Sequence, residues 1–223
     1  MVRRPSALAL LCESYWYPLY GFLRRQGHDA DAASDLTQGF FTRLIEKEYI
    51  ADFRREKGRF RTFLLACLRH YSASEHDRSR ALKRGGAAAV ESLDPAIAEA
   101  EVRYAREPVA DLTPEQWFER QWALALLDRA MVALRDEQAV AGKQLLFLAF
   151  EPFLTADDGA TPYARAAADA GVSEGAARTA VHRLRRRFRE IVREEIARTV
   201  ATPEQVGEEV RYMIGVLGRR GTL

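Results

Sequence analysis

The chain has 223 residues, with 34 Lys+Arg against 32 Asp+Glu and a net charge of +2. This is room for one large domain or two small ones, and the overall charge names no partner. Two cysteines exclude a disulfide framework, no Cys/His/acid spacing suggests a metal, and no run approaches the about 20 apolar residues that cross a bilayer.

Helical periodicity runs throughout, and no alternating segment persists long enough for a strand, so the expected fold is all-α. The first helical region, 6–26, places Leu8, Leu11, Tyr15, Leu19 and Phe22 on one side, is expected to bend or break before Pro18, and stops at Gly27. The second starts near Asp29 and carries Leu36, Phe40, Leu44 and Ile45 as its core face. Asp31, Asp35, Gln38 and Thr42 fall on the opposite face. The helix macrodipole accounts for Asp31, whereas Asp35 and Gln38 lie further in and suit a docking surface for a basic partner. The third helix follows the Lys57-Gly58 turn, with Phe60, Phe63, Leu64, Cys67 and Tyr71 at core spacing. Cys12 and Cys67 both sit in helical apolar patterns and read as reduced core residues of a cytoplasmic protein.

Charge is unevenly distributed. Residues 54–84 hold ten Lys/Arg against Glu56, Glu75 and Asp77, interleaved with aromatics and with His70 and His76. Rings that stack on bases beside cations that follow a backbone suit single-stranded nucleic acid, although most of these rings also serve as core. Residues 91–119 reverse the balance, with eight carboxylates against Arg103 and Arg106. Together with Gly85, Gly86, Pro95 and Pro108 this composition predicts a linker over 85–112, with at most a marginal helix around 97–104.

Thr113-Pro114-Glu115-Gln116 is a helix start: Thr113 caps, Pro114 suits the first turn and Gln116 reaches back. Trp117, Leu124, Leu127, Met131 and Leu134 follow on one face, and a further apolar helix covers 143–154. An alanine-rich segment then closes at Gly171, and Ser173 caps a basic helix. On that helix Ala177, Val181, Leu184, Phe188 and Ile191 face inward. Arg178, His182, Arg185 and Arg189 form an adjoining stripe in a run that also holds Arg183, Arg186 and Arg187. Helix, glycine turn and basic helix make a helix-turn-helix, whose second helix enters a DNA major groove. A solvated arginine-rich helix without a partner is the weaker reading, because the cations repel one another. Thr202-Pro203-Glu204-Gln205 repeats the start signal for a terminal helix with Val206, Val210, Met213, Ile214 and Leu217. The four histidines are scattered, and no glycine-rich loop cradles phosphate, so neither an enzyme nor a cofactor is expected.

Three of these segments resemble one family. Asp31-Ala-Ala-Ser-Asp35-Leu-Thr-Gln38 resembles the core-polymerase-binding helix of bacterial sigma factors. Lys57-Gly58-Arg-Phe60-Arg-Thr-Phe63-Leu-Leu resembles the opening of their −10 reading helix, and 163–189 resembles their −35 helix-turn-helix. The order matches the extracytoplasmic-function type, with domains two and four only. Tyr15-Trp-Tyr-Pro18 and Gln38-Gly-Phe-Phe41 resemble a subgroup whose members begin further upstream. The sequence departs from the family at Ala177, where an aliphatic residue is common, and at His70 and Ser74, where Asn and Asp are frequent.

The resemblance implies two small helical bundles: domain two over 6–84, a linker over 85–112, domain four over 113–198, and an extension over 199–223. That extension would be a regulatory helix packed on the DNA-binding domain, or extra core. The resemblance also implies docking on core RNA polymerase through Asp31, Asp35, Gln38 and Thr42. Promoter −10 contacts would come from Arg61, Arg69, His70, Ser74 and Arg78. Those at −35 would come from Arg178, Thr179, His182, Arg183, Arg185 and Arg186. An anti-sigma factor or other regulator is a further partner the family admits. The rival expectations are a helix-turn-helix regulator that acts without polymerase, and a helical adaptor whose basic helix meets an acidic protein.

Overall fold

The computed structural model describes residues 7–46, 58–82, 95–107, 112–155 and 163–218. Among these residues the chain is all-α, with one isolated antiparallel bridge, Arg59 to Val200, and no strand. The helices are α1 (Ala7–Arg25), α2 (Ala30–Glu46), α3 (Phe60–Leu82), α4 (Pro95–Arg106), α5 (Pro114–Val140), α6 (Gln144–Phe150), α7 (Pro152–Thr155), α8 (Tyr163–Asp169), α9 (Glu174–Ala197) and α10 (Gln205–Gly218). Two compact units emerge: Met1–Ala125 with Thr199–Leu223, and Leu126–Arg198.

Local chemistry accounts for the helix starts. Asp29 Oδ1 accepts from Ala32 N at 2.8 Å at the head of α2. Thr113 and Gln116 exchange hydrogen bonds as a capping box: Thr113 N donates to Gln116 Oε1 at 3.0 Å, and Gln116 N to Thr113 Oγ1 at 3.2 Å. At the later Thr-Pro-Glu-Gln sequence, Gln205 Oε1 accepts from Ala201 N and Thr202 N, and α10 begins at Gln205 itself.

In the first unit, α1 continues through Pro18 without the expected break. Over residues 14–23 it is buried nearly all round, with Tyr15, Tyr17, Leu19, Tyr20, Phe22 and Leu23 inside. Two later segments explain why. In α4, Glu101 binds Arg24 (Nε to Oε1, 2.8 Å) and accepts from Tyr20, while Tyr17 donates to Glu107 at 2.9 Å. From α5, Trp117, Phe118 and Trp122 enter the same core, and Trp122 Nε1 donates to Tyr15 at 3.0 Å. Gly21 permits the closest approach: a Cβ there would stand 1.8 Å from the Trp117 ring.

Later segments pack into the first unit. Residues 95–107 of the expected linker are a helix and its end, carrying buried Ala100 and packing on α2; the rest of 85–111 lies outside the described residues. Residues 114–125 of α5 and the extension from Thr199 group with the first unit; the former were expected with domain four, the latter either upon domain four or as extra core. The reason is burial. Trp117, Phe118 and Trp122 are buried beside Tyr17, Phe22 and Tyr15 of α1, and burying this apolar surface favours the arrangement.

In the second unit the core is Leu126, Ala130 and Leu134 of α5, Phe147 and Phe150 of α6, Phe153, Ala167, and Ala177, Val181, Leu184, Ile191, Val192 and Ile196 of α9. The expected apolar helix over 143–154 divides at Glu151 into α6 and α7, and leaves Leu145 and Leu148 exposed. Ile45 in α2 and Ile214 in α10, both expected inside, are exposed.

Candidate functional site

Three surfaces carry the residues singled out from sequence. On α2 the buried side is Ala33, Ser34, Thr37, Phe40, Phe41 and Leu44, and Asp31, Asp35, Gln38 and Thr42 are all exposed together on the other. Their own contacts are local and weak: Gln38 Nε2 lies 3.4 Å from Ser34 Oγ, and Thr42 Oγ1 donates to the Gln38 carbonyl at 3.0 Å. The result is an acidic and amide-bearing strip that a basic partner surface could meet without disturbing the core.

The α3 set does not stay together. Arg61 is 4% exposed, and Glu209 of α10 binds it bidentately, Nε to Oε1 at 2.7 Å and Nη2 to Oε2 at 3.3 Å. Glu119 adds a contact at 3.3 Å, and the guanidinium lies 4.1 Å from the centre of the Tyr212 ring and 5.0 Å from that of Trp122. Burial works against its charge, yet the hydrogen bond and charge of Glu209 outweigh this, with Tyr212 and Glu119 helping, and its pKa is raised. In the free chain Arg61 is therefore covered and does not stand open with the rest of the expected DNA-facing set.

Arg69 is partly exposed, pairs with Glu115 and sits over the Phe22 ring. His70, Ser74 and Arg78 are exposed; the Ser74 hydroxyl donates to the His70 carbonyl at 2.9 Å, and Arg78 pairs with Glu75 at 2.6 Å. Of the expected core residues of α3, Phe60 and Leu64 are buried, whereas Phe63, Cys67 and Tyr71 are half-buried.

In the second unit, α8 ends in a tight turn where Gly171 takes φ 66°, a left-handed conformation that favours glycine. Ser173 then caps α9, its side chain accepting from Ala176 N at 3.3 Å. Arg178, Thr179, His182, Arg183 and Arg186 are exposed. Arg178 is steered by Glu174 at 2.7 Å and by the Tyr163 ring at 4.6 Å, while Thr179 donates back to the Gly175 carbonyl at 2.9 Å.

Arg185 departs from expectation. It is half-buried and donates through Nε and Nη2 to the Phe153 carbonyl at 3.1 and 2.7 Å, so it ties α9 to α7 and is not part of the open stripe. Arg187 is likewise claimed, by Glu137 at 2.6 Å, Glu194 at 2.8 Å and Glu190 at 3.3 Å. These carboxylates, brought in from outside the arginine run, relieve part of its self-repulsion.

Sequence reasoning missed Arg59, Glu115, Glu119, Glu209 and Tyr212. The helix-start signal at Thr202 marked where α10 begins, but nothing local indicates that Glu209 points inward to an arginine far away in the chain. Among the described residues no His/Cys/Asp/Glu group could hold a metal, and no helix is long and apolar enough to cross a membrane.

The first unit is all-α, with an exposed acidic strip on α2 and several arginines on α3. The family comparison is more specific: residues 11–81 match the model for sigma-70 region 2. Over this stretch the chain is similar to region 2 of the sigma-70 transcription factors. The match covers most of α1, all of α2 and nearly all of α3, and less than half of the chain. No curated protein and no solved structure gives a significant match.

Proposed function

We propose that the chain is an alternative sigma factor of the extracytoplasmic-function type, acting in the cytoplasm to bring core RNA polymerase to specific promoters. In this reading 6–84 serves as domain two and 113–198 as domain four, with 114–125 grouped in the first unit and the helix-turn-helix within Leu126–Arg198. The observation that carries it is the coincidence of the region 2 match with the α2 strip, whose four polar residues all face outward. Asp31, Asp35, Gln38 and Thr42 dock on core polymerase. Arg69, His70, Ser74 and Arg78 meet the opened −10 strand by stacking and phosphate contacts. Arg178, Thr179, His182, Arg183 and Arg186 meet the −35 major groove, with α8 and α9 acting as a helix-turn-helix. Arg185 supports that helix from behind.

Run-off transcription with core polymerase on randomised promoter-length DNA, with and without the chain, tests the reading and recovers the promoter. Chain-dependent transcripts that share −10 and −35 elements are expected. Their absence, with duplex DNA still bound by the chain alone, would replace the reading with a regulator independent of polymerase. Asp35→Arg is expected to weaken core binding while leaving stability within about 0.5 kcal/mol, as for exposed sites in general. Unchanged core affinity in that folded variant would remove the α2 strip from the interface.

A further inference from the structure

We infer that the segment 199–218 is a built-in cover over the start of α3, occupying with carboxylates the arginines that nucleic acid would otherwise claim. The inference rests on the reading of α3 as the −10 helix.

The segment is fixed to the start of α3 at three levels. Its backbone forms the antiparallel bridge between Val200 and Arg59, beside a bond from Phe60 N to the Thr199 carbonyl at 3.0 Å. Glu209 takes Arg61 bidentately and also reaches Arg59 Nε at 2.8 Å, with Glu208 lying 3.8 Å from the same side chain. The Tyr212 ring lies beneath both guanidiniums, 4.1 Å from Arg61 and 5.4 Å from Arg59. A carboxylate fork, a ring face and a paired backbone are the groups that a nucleotide phosphate, a base and a sugar edge would replace. Arginine binds carboxylate and phosphate with the same planar donor pair.

The composition of α10 indicates that this docking is conditional. Its buried residues are Met213, Val216 and Glu209, two apolar side chains and an acid. Buried ion pairs are often no more stabilising than well-packed apolar residues of the same volume. An aliphatic residue at 209 with an apolar partner at 61 would hold the helix permanently, whereas the ion pair holds it only while no other anion competes for Arg59 and Arg61. A polyanion presented by polymerase-bound promoter DNA is such a competitor. Its arrival exchanges carboxylate for phosphate, and α10 leaves. The consequence is weak engagement of DNA by the free chain and full engagement within the polymerase complex, where binding energy from the other surfaces supports the exchange.

Hydrogen exchange on the unmodified chain gives the first test, comparing the free protein with the polymerase complex on the promoter recovered above, pre-opened across −10. Protection of the Gln205–Gly218 amides should be lost in the promoter complex. Full protection retained there overturns the cover.

The second test locks it. Antiparallel bridge partners have Cα atoms about 4.5–5.5 Å apart, within the about 4.4–6.8 Å span of a disulfide. Arg59→Cys with Val200→Cys, in a chain carrying Cys12→Ser and Cys67→Ser, can therefore be oxidised to tie the segment down. Oxidation should reduce affinity for the pre-opened promoter about tenfold below that of the same variant when reduced, which already lacks the Arg59 contact, as for lost phosphate contacts. Equal affinity in both redox states overturns the cover while leaving the −10 reading intact. No transcripts from the parent chain with core polymerase would overturn both.

Discussion

Arg61 and Arg186 both lie on basic helices, yet one is 4% exposed and the other 68%. Around α3, carboxylates arrive from distant parts of the chain: Glu209 on Arg59 and Arg61, Glu119 on Arg61, and Glu115 on Arg69. Along the outer side of α9 the pairings are local, Glu174 with Arg178 and Glu190 with Arg186, one turn away and in solvent. The first kind of pairing is part of the fold. The second is worth little to stability, is screened by salt, and yields readily to a phosphate. The difference separates arginines whose partners in the free chain come from distant segments from arginines ion-paired only along their own helix.

The largest expected effect breaks the first kind. Glu209→Ala leaves the Arg61 guanidinium buried without its bidentate partner, and should cost about 3–5 kcal/mol in denaturant unfolding. Arg186→Ala should change stability by less than about 0.5 kcal/mol. Similar losses in the two variants would erase the distinction.

A sharper comparison lies within one helix. Arg185→Ala removes charge-assisted bonds to the Phe153 carbonyl, and a loss of about 1.5–3 kcal/mol in stability is expected. Arg186→Ala should instead leave stability unchanged and lower the salt slope of promoter binding by about one unit. If Arg185 behaves like Arg186 in both measurements, its role as a tie between α9 and α7 is wrong.

Next comes recognition. Arg178 lies in the first turns of α9, with its guanidinium steered by Glu174 and Tyr163. Arg178→Ala should relax preference at one −35 position by about 1–3 kcal/mol, measured on a panel of single-base variants. A uniform loss on every variant would make Arg178 a phosphate contact.

The smallest effect is set by pH. The Arg24 hydrogen bond holds the Glu101 carboxyl below its ordinary range, against burial and with help from Tyr20. A carboxylate whose pKa falls on folding adds stability above its unfolded value of about 4.3, and loses it as pH drops through the lower folded value. Thermal melts of the parent and Glu101→Gln should therefore differ at neutral pH and converge in acid. A constant difference would mean that Glu101 acts through packing alone.

What could be read from sequence was what depends on neighbours three or four residues away. The caps at Thr113 and Ser173, the inward row Ala177, Val181, Leu184 and Ile191 on α9, and the outward strip on α2 all follow from helical geometry, and each is present. Only the tertiary structure decided where the acidic segment and the C-terminal helix go, and therefore which arginines remain open. An acid and an arginine that meet across most of the chain leave no periodic trace, because their pairing depends on which surfaces α1 and α3 leave uncovered. Composition made 85–112 look like a linker and Arg61 look like a DNA contact. Burial of the aromatic faces of α1 drew α4 and the start of α5 onto the first unit, and Glu209 closed over Arg61 because a buried guanidinium needs a partner for its charge.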